Sequence, residues 1–263
     1  MPRAKTVKKT ESPKGVQKHG KKWENEIITV MVSPSKLEEA LDQPYTATHD
    51  LPKLLNKKNP GMNVSIKAAG KERVDFGDAK RTIHNLQKPN SPLEAIVIKY
   101  KQTPTQKIPT SVVRIDLTKG KTELLGKIPE AELAEKIDEL DEMVKEGNPA
   151  YKATAKKLQK YMKDNGATLM VAPKIGNAAK KRAGRLQISL PNITQFKTKY
   201  PHLVIEDKSC KVYGEDCLSV LESGRRVLTK KKKSPTEKAI KAVSTSPKVK
   251  ATRKRSKPKI KKA

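Results

Sequence analysis

Positive charge is concentrated at the two ends of this chain, and that limits how much of it can fold. The sequence holds 58 Lys and Arg against 28 Asp and Glu. Residues 1–22 contain eight basic residues and one acid, and residues 229–263 contain fifteen and one. The ends therefore carry +7 and +14 of the formal +30, which leaves 35 basic and 26 acidic residues, +9, for the 206 residues between them. Lys-rich segments with few apolar residues bury too little surface to offset the entropy of ordering, so both ends are expected to be disordered alone. The middle, Trp23 to Leu228, has the Val, Ile and Leu of a core, and a chain of that size buries roughly 70% of its unfolded surface. The expected plan is an arm over 1–22, a body over 23–228 with a lobe boundary near 128, and a tail over 229–263.

Within the body, hydrophobic periodicity predicts an α+β fold: an antiparallel or mixed sheet, an αα-hairpin and short helices, flanked by the disordered basic tails. The β-branched run Ile27–Val32 reads as a first strand, followed by a helix from Lys36 to Asp42 and a short one from Pro52 to Lys57. Met62 to Ala68 alternates as a strand, and Asp78 to Leu86 has helical spacing. Ala95–Tyr100, Ser111–Leu117 and Thr122–Leu125 are expected to form three strands of an antiparallel meander. Leu133, Ile137, Leu140 and Val144 recur at helical spacing between Pro129 and Gly147, and a second helix follows from Pro149 to Asp164. The first of these helices is acidic and the second carries five lysines, so charge pairing between the two is expected. Thr168–Ala172, Leu186–Leu190 and His202–Glu206 read as strands, and Gly214–Val227 as a helix whose end charges suit its dipole.

Several function classes find no support. No apolar run approaches the ~18–20 residues of a membrane span, and the basic N-terminus lacks the apolar stretch of a signal peptide, so no membrane partner and no export are expected. Cys210 and Cys217 match neither a redox CxxC nor a zinc half-site, and reduced thiols are expected. The four histidines, His19, His49, His84 and His202, are scattered, so neither a metal nor a cofactor is expected. Gly120-Lys121-Thr122 lacks the upstream glycine of a phosphate-binding loop and reads as a hairpin turn. Asp75-Phe76-Gly77 matches a kinase triplet without any of its companions.

The charge itself points to a polyanion. Lys14, Lys18, Lys21 and Lys22 in the first arm, and Lys230, Lys231, Lys232, Lys233, Lys248, Lys250, Arg253, Lys254, Arg255, Lys257 and Lys259 in the tail, are candidate phosphate contacts. A third set, Lys174, Lys180, Lys181, Arg182 and Arg185, lies in a Gly-punctuated loop between two strands, the pattern of an arm that follows phosphates or enters a minor groove. Lys outnumbers Arg in both ends, and Lys acts as a point charge, not a bidentate reader of guanine. Ser12, Ser234 and Ser246 each precede a proline among these lysines, so phosphorylation there would add about −1.5 to −2 each and loosen binding. The stretches 246–250 and 253–259 are similar in composition to linker-histone tails, with no linker-histone globular domain to accompany them.

The expected function is therefore non-enzymatic: sequence-independent binding of nucleic acid through phosphates, duplex DNA before RNA, for packaging or scaffolding. The nucleus, a nucleoid or a virion interior is the expected location, and the body is left free for homo-oligomerisation or docking. The alternative is a structural subunit of a large nucleoprotein assembly, such as a virion or ribosome-like particle. An enzyme acting on nucleic acid would have to draw on acidic pairs such as Asp75 and Asp78, or Glu206 and Asp207.

Overall fold

The computed structural model describes residues 18–43, 49–174 and 184–223. The expected α+β class is what it shows. Helices are α1 (Lys18–Met31), α2 (Leu37–Leu41), α3 (Ala79–Gln87), α4 (Lys121–Leu125), α5 (Glu130–Glu146), α6 (Tyr151–Asp164) and α7 (Ile193–Lys199). Strands are β1 (Asn63–Ala69), β2 (Val74–Asp78), β3 (Leu93–Gln102), β4 (Gln106–Asp116), β5 (Met170–Lys174), β6 (Arg185–Leu190), β7 (Val204–Asp207) and β8 (Leu221–Glu222).

Two sheets result. The larger is mixed, in the order β1-β3-β4-β7, with β8 also on β4; β1 runs parallel to β3 and the other pairs are antiparallel. The smaller is antiparallel, β2-β6-β5. The first six residues of β3 are all buried, because this strand is covered on both faces, the usual reason for an uninterrupted apolar run. Ala95 and Val97 face one core with β2, β5, β6, α3, α5 and α6, whereas Ile96 and Ile98 face a second core with α1 and the chain near Val212 and Leu221. Residues before and after position 128 share the first of these cores.

Four expected elements are corrected. Residues 27–32 form no strand; the segment through Met31 is the end of α1. Trp23, Ile27, Ile28 and Met31 fall at i, i+4, i+5 and i+8, and all four are buried against Val64, Ile66, Ile96 and Ile98. Burial of each is worth about 1.5–3 kcal/mol, which outweighs the weak strand preference of two isoleucines. Pro52–Lys57 is a series of turns, not a helix; Asn56 fastens it by donating Nδ2 to Met62 O and accepting from Asn59 N.

The third correction concerns Thr122–Leu125, which is helix α4 and no meander strand. Leu124 and Leu125 are both buried, and adjacent residues can share one buried side on a helix but alternate across a strand. Gly120-Lys121-Thr122 is accordingly a strand-to-helix junction, not a hairpin turn. Fourth, the described part of 214–227 is not helical: it runs without regular structure from 216 to 220 and ends in β8. Ser219 explains this: its N and Oγ donate to the Glu26 carboxylate, and its O accepts from Trp23 Nε1 at 2.8 Å. The segment is thus tied open along α1.

One strand, β2, was not expected, since Val74–Asp78 is too short and too acidic to read as one. Helix α7 and strand β8 were not expected either; the remaining helices and strands lie within a few residues of their expected positions. Both thiols are free, and burial pushes that of Cys217 up to about 11, with Glu26, Asp216 and Glu215 adding to it.

Candidate nucleic-acid interface

Helix α6 buries Ala155, Leu158 and Met162, so its opposite side must face out. Lys152, Lys156, Lys160 and Lys163 occupy that side at spacings of four, four and three, and all four are exposed. At 1.5 Å rise per residue the row is about 16 Å long. Lys160 pairs with Asp164 at 2.5 Å and Lys152 lies 5.9 Å from the Tyr151 ring. Lys156, Lys157 and Lys163 have no ion pair among the described residues.

The neighbouring acidic helix does not neutralise this row, contrary to the expected pairing of α5 with α6. Lys136 and Lys145 bind Glu132, Asp141 and Glu142 of their own helix, and Asp138 binds Lys80 and His84 of α3. Between the two, the Tyr161 hydroxyl donates to Glu132 Oε1 at 2.8 Å and the Lys136 ammonium lies 5.3 Å from the Tyr161 ring centre. Burying the apolar stripes of an antiparallel pair turns the charged faces away from each other. The pair is therefore polarised, with an acidic outer face on α5 and a basic one on α6.

Strand β5 runs back along α6, where Gln159 Nε2 donates to Val171 O at 2.5 Å. It pairs antiparallel with β6, and Lys174 stands opposite Arg185 at the end of the ladder, where the expected loop begins; residues 175–183 lie outside the described residues. That end is anchored on α5. Leu186 N donates to the buried Asp141 carboxylate at 3.0 Å, and Gly184 lies so close to α5 that a Cβ there would collide with Val144 O. Lys174 is exposed and Arg185 half-buried, and neither has an ion pair among the described residues. Lys180, Lys181 and Arg182 lie outside those residues.

Leu186 and Ile188 face the core, which turns Arg185 and Gln187 to the other side of the small sheet. There they line a cleft of about 260 Å³ with Lys67, Arg81, Asp50, Asp75 and Asp78. Each acid in it is already engaged: Asp50 binds Lys67 Nζ and Ile66 N, Asp75 binds Arg73, and Asp78 caps α3 by accepting from Arg81 N. In the other acidic pair, Glu206 binds Lys197 at 2.7 Å, and Asp207 accepts from Ser209 N and Lys211 N. Among the described residues no group of three or more His, Cys, Asp or Glu could hold a metal ion.

At the N-terminal end, Lys18, Lys21 and Lys22 belong to α1. Lys21 pairs with Glu24 at 2.6 Å, and Lys22 is exposed. Burial, and then Asp50, raise the Glu24 carboxyl above its ordinary value. Lys14, Ser12, Ser234, Ser246 and all the tail candidates from Lys230 to Lys259 lie outside the described residues. The structure thus brings Lys174 and Arg185 together and sets Lys21 and Lys22 on a separate helix. It also exposes a basic row on α6 that the sequence signalled by its five lysines against one acid, but whose direction was not legible there.

No protein-family model, curated protein or solved structure matches this chain.

Proposed function

We propose that this protein binds nucleic acid without regard to sequence, duplex DNA foremost, by contacting phosphates in a packaging or scaffolding role and without chemistry of its own. The observation that carries this reading is where the excess charge stands. The two ends hold +21 of the +30, and in the body the lysine row of α6 faces outward and forms no ion pair with the adjacent acidic helix among the described residues. Phosphate contacts by such lysines are favoured by counterion release and need no base recognition.

Aromatic residues support duplex over single-stranded partners. Trp23 and Phe196 are 1% and 2% exposed and Phe76 8%, and the described tyrosines are half-buried, so no fully exposed aromatic among the described residues offers a platform for unpaired bases, which single-strand binders use. The experiment is a salt titration of the full chain against duplex DNA, duplex RNA and single strands. If about 6–10 phosphates are engaged, duplex affinity falls about 10³–10⁵-fold between about 50 and 200 mM salt. Binding that changes less than about tenfold over that range, or no binding, overturns the reading.

A further inference from the structure

The cleft lined by Arg185 and Gln187 holds polar groups that the fold itself leaves unused. Asn85 of α3 lines it, is 4% exposed, and its side-chain amide has no hydrogen-bond partner among the described residues. A buried amide without a partner costs stability, so its persistence beside a cleft points to a ligand that completes it. Phe76, Leu93 and Leu117 supply an apolar wall. The register of β2 on β6 passes from Asp75 opposite Ser189 to Gly77 opposite Ile188, which leaves Phe76 as an extra residue, and Gly77 takes φ 97°. Bulges of this kind re-aim side chains beside functional sites. Directly across from Arg185 stands Lys174 of β5. Opposed residues of an antiparallel pair project from one face, and like charges there repel. Neither cation has an ion pair among the described residues, whereas Lys67 and Arg73 neutralise Asp50 and Asp75, and Asp78 caps α3.

From this arrangement we infer that the cleft binds a nucleoside monophosphate, with the phosphate on Arg185 and Lys174 and the base edge on Asn85. Two adjacent unpaired cations suit a phosphate monoester, which carries about −1.5 to −2 at pH 7, better than a singly charged carboxylate. Arg adds a planar fork that matches phosphate oxygens. An asparagine amide offers a donor and an acceptor side by side, and the N6/N7 edge of adenine meets both. Gln187 lies on the same face of β6 as Arg185, about 7 Å further along, and gives a second amide for sugar hydroxyls. The cleft, at about 260 Å³, falls below the roughly 300–1,000 Å³ of pockets for drug-sized ligands, so it suits one nucleotide and no dinucleotide. This site is separate from the phosphate contacts proposed for the ends and for α6, and each reading stands or falls without the other.

The test is calorimetric titration of the full chain with adenosine monophosphate, adenosine and inorganic phosphate, repeated on Arg185→Gln and Asn85→Leu. Expected is a dissociation constant below about 1 mM for the monophosphate, with adenosine and phosphate each binding at least about tenfold more weakly. Arg185→Gln should bring the monophosphate down to the level of adenosine and leave adenosine itself unchanged. Asn85→Leu should abolish binding of both and, without ligand, hold or raise the melting temperature, because an apolar side chain of similar volume removes the unpartnered amide. No binding by the monophosphate of adenosine, guanosine, cytidine or uridine overturns the inference. So does binding that both substitutions leave intact, which would place it on the lysines elsewhere, and so does phosphate binding as tightly as the monophosphate, which would leave an anion site without a base. A fall in melting temperature of Asn85→Leu with Arg185→Gln binding unaltered would make the amide a structural group and likewise overturn it.

Discussion

Glu94 is buried at 4% exposure yet fully engaged: Arg114 Nε donates to one oxygen at 2.7 Å and the Tyr213 hydroxyl to the other. The Arg114 guanidinium lies 3.6 Å over the Tyr213 ring, so the trio locks the 210–215 segment to β3 and β4. A second tie, on β7, has a pH signature. The Lys197 ammonium, helped by Ser111 and Lys208, holds the Glu206 carboxyl below its ordinary 4.5. A carboxyl depressed by folding stabilises fully above about pH 4.5, and that contribution is lost as pH falls through the lower folded value. Glu206→Gln is expected to lower the melting temperature at pH 6 but to flatten its decline toward pH 3. Melting scans of both proteins check this, and parallel declines would refute it. Such ties were not legible in the sequence. Glu206 stands beside Asp207 there, nine residues from Lys197 and 95 from Ser111, and no local pattern pairs them.

Among the elements, legibility followed how local the signal was. Leu133, Ile137, Leu140 and Val144 mark α5 through a period that needs no partner, and Gly147 at φ 72° ends it as a left-handed cap. In α1 the same kind of stripe was disguised by adjacent isoleucines, and in 214–223 the spacing of Leu218 and Leu221 imitated a helix. There the groups that decide the conformation, Glu26 and Trp23, stand 193 and 196 residues from Ser219. For α6 the helix was legible but not its partner. Ala at Lys152, Lys156, Lys160 and Lys163 keeps a strong helix former at every position. For every phosphate these lysines engage, the substitution should lower the log–log salt slope by about 0.9, so up to about 3.5 in all. Circular dichroism and melting temperature should change little. An unaltered slope would show that this row contacts no phosphate.

On the scale of the whole molecule, Trp23 joins distant parts of the chain. It packs on Tyr100, fills the core between α1 and the larger sheet, and donates to Ser219 O. Trp23→Ala is expected to destabilise the fold by about 3–5 kcal/mol in urea titrations and to speed amide exchange from Ser219 to Ser223. Trp23→Phe, which keeps most of the packing and loses the hydrogen bond, should cost far less. A Trp23→Ala loss below about 1 kcal/mol with unchanged exchange would show that the tail segment is held by other groups. The sequence by itself determined the segregation of charge, the α+β class, the α5–α6 hairpin and the β3–β4 pair, because composition and short periods are written in neighbouring residues. Only the tertiary structure decided that 27–31 is helical, that 214–223 is not, and that the α6 lysines face outward. Each of those depends on surfaces and hydrogen-bond partners brought together from distant parts of the chain, which no local pattern encodes.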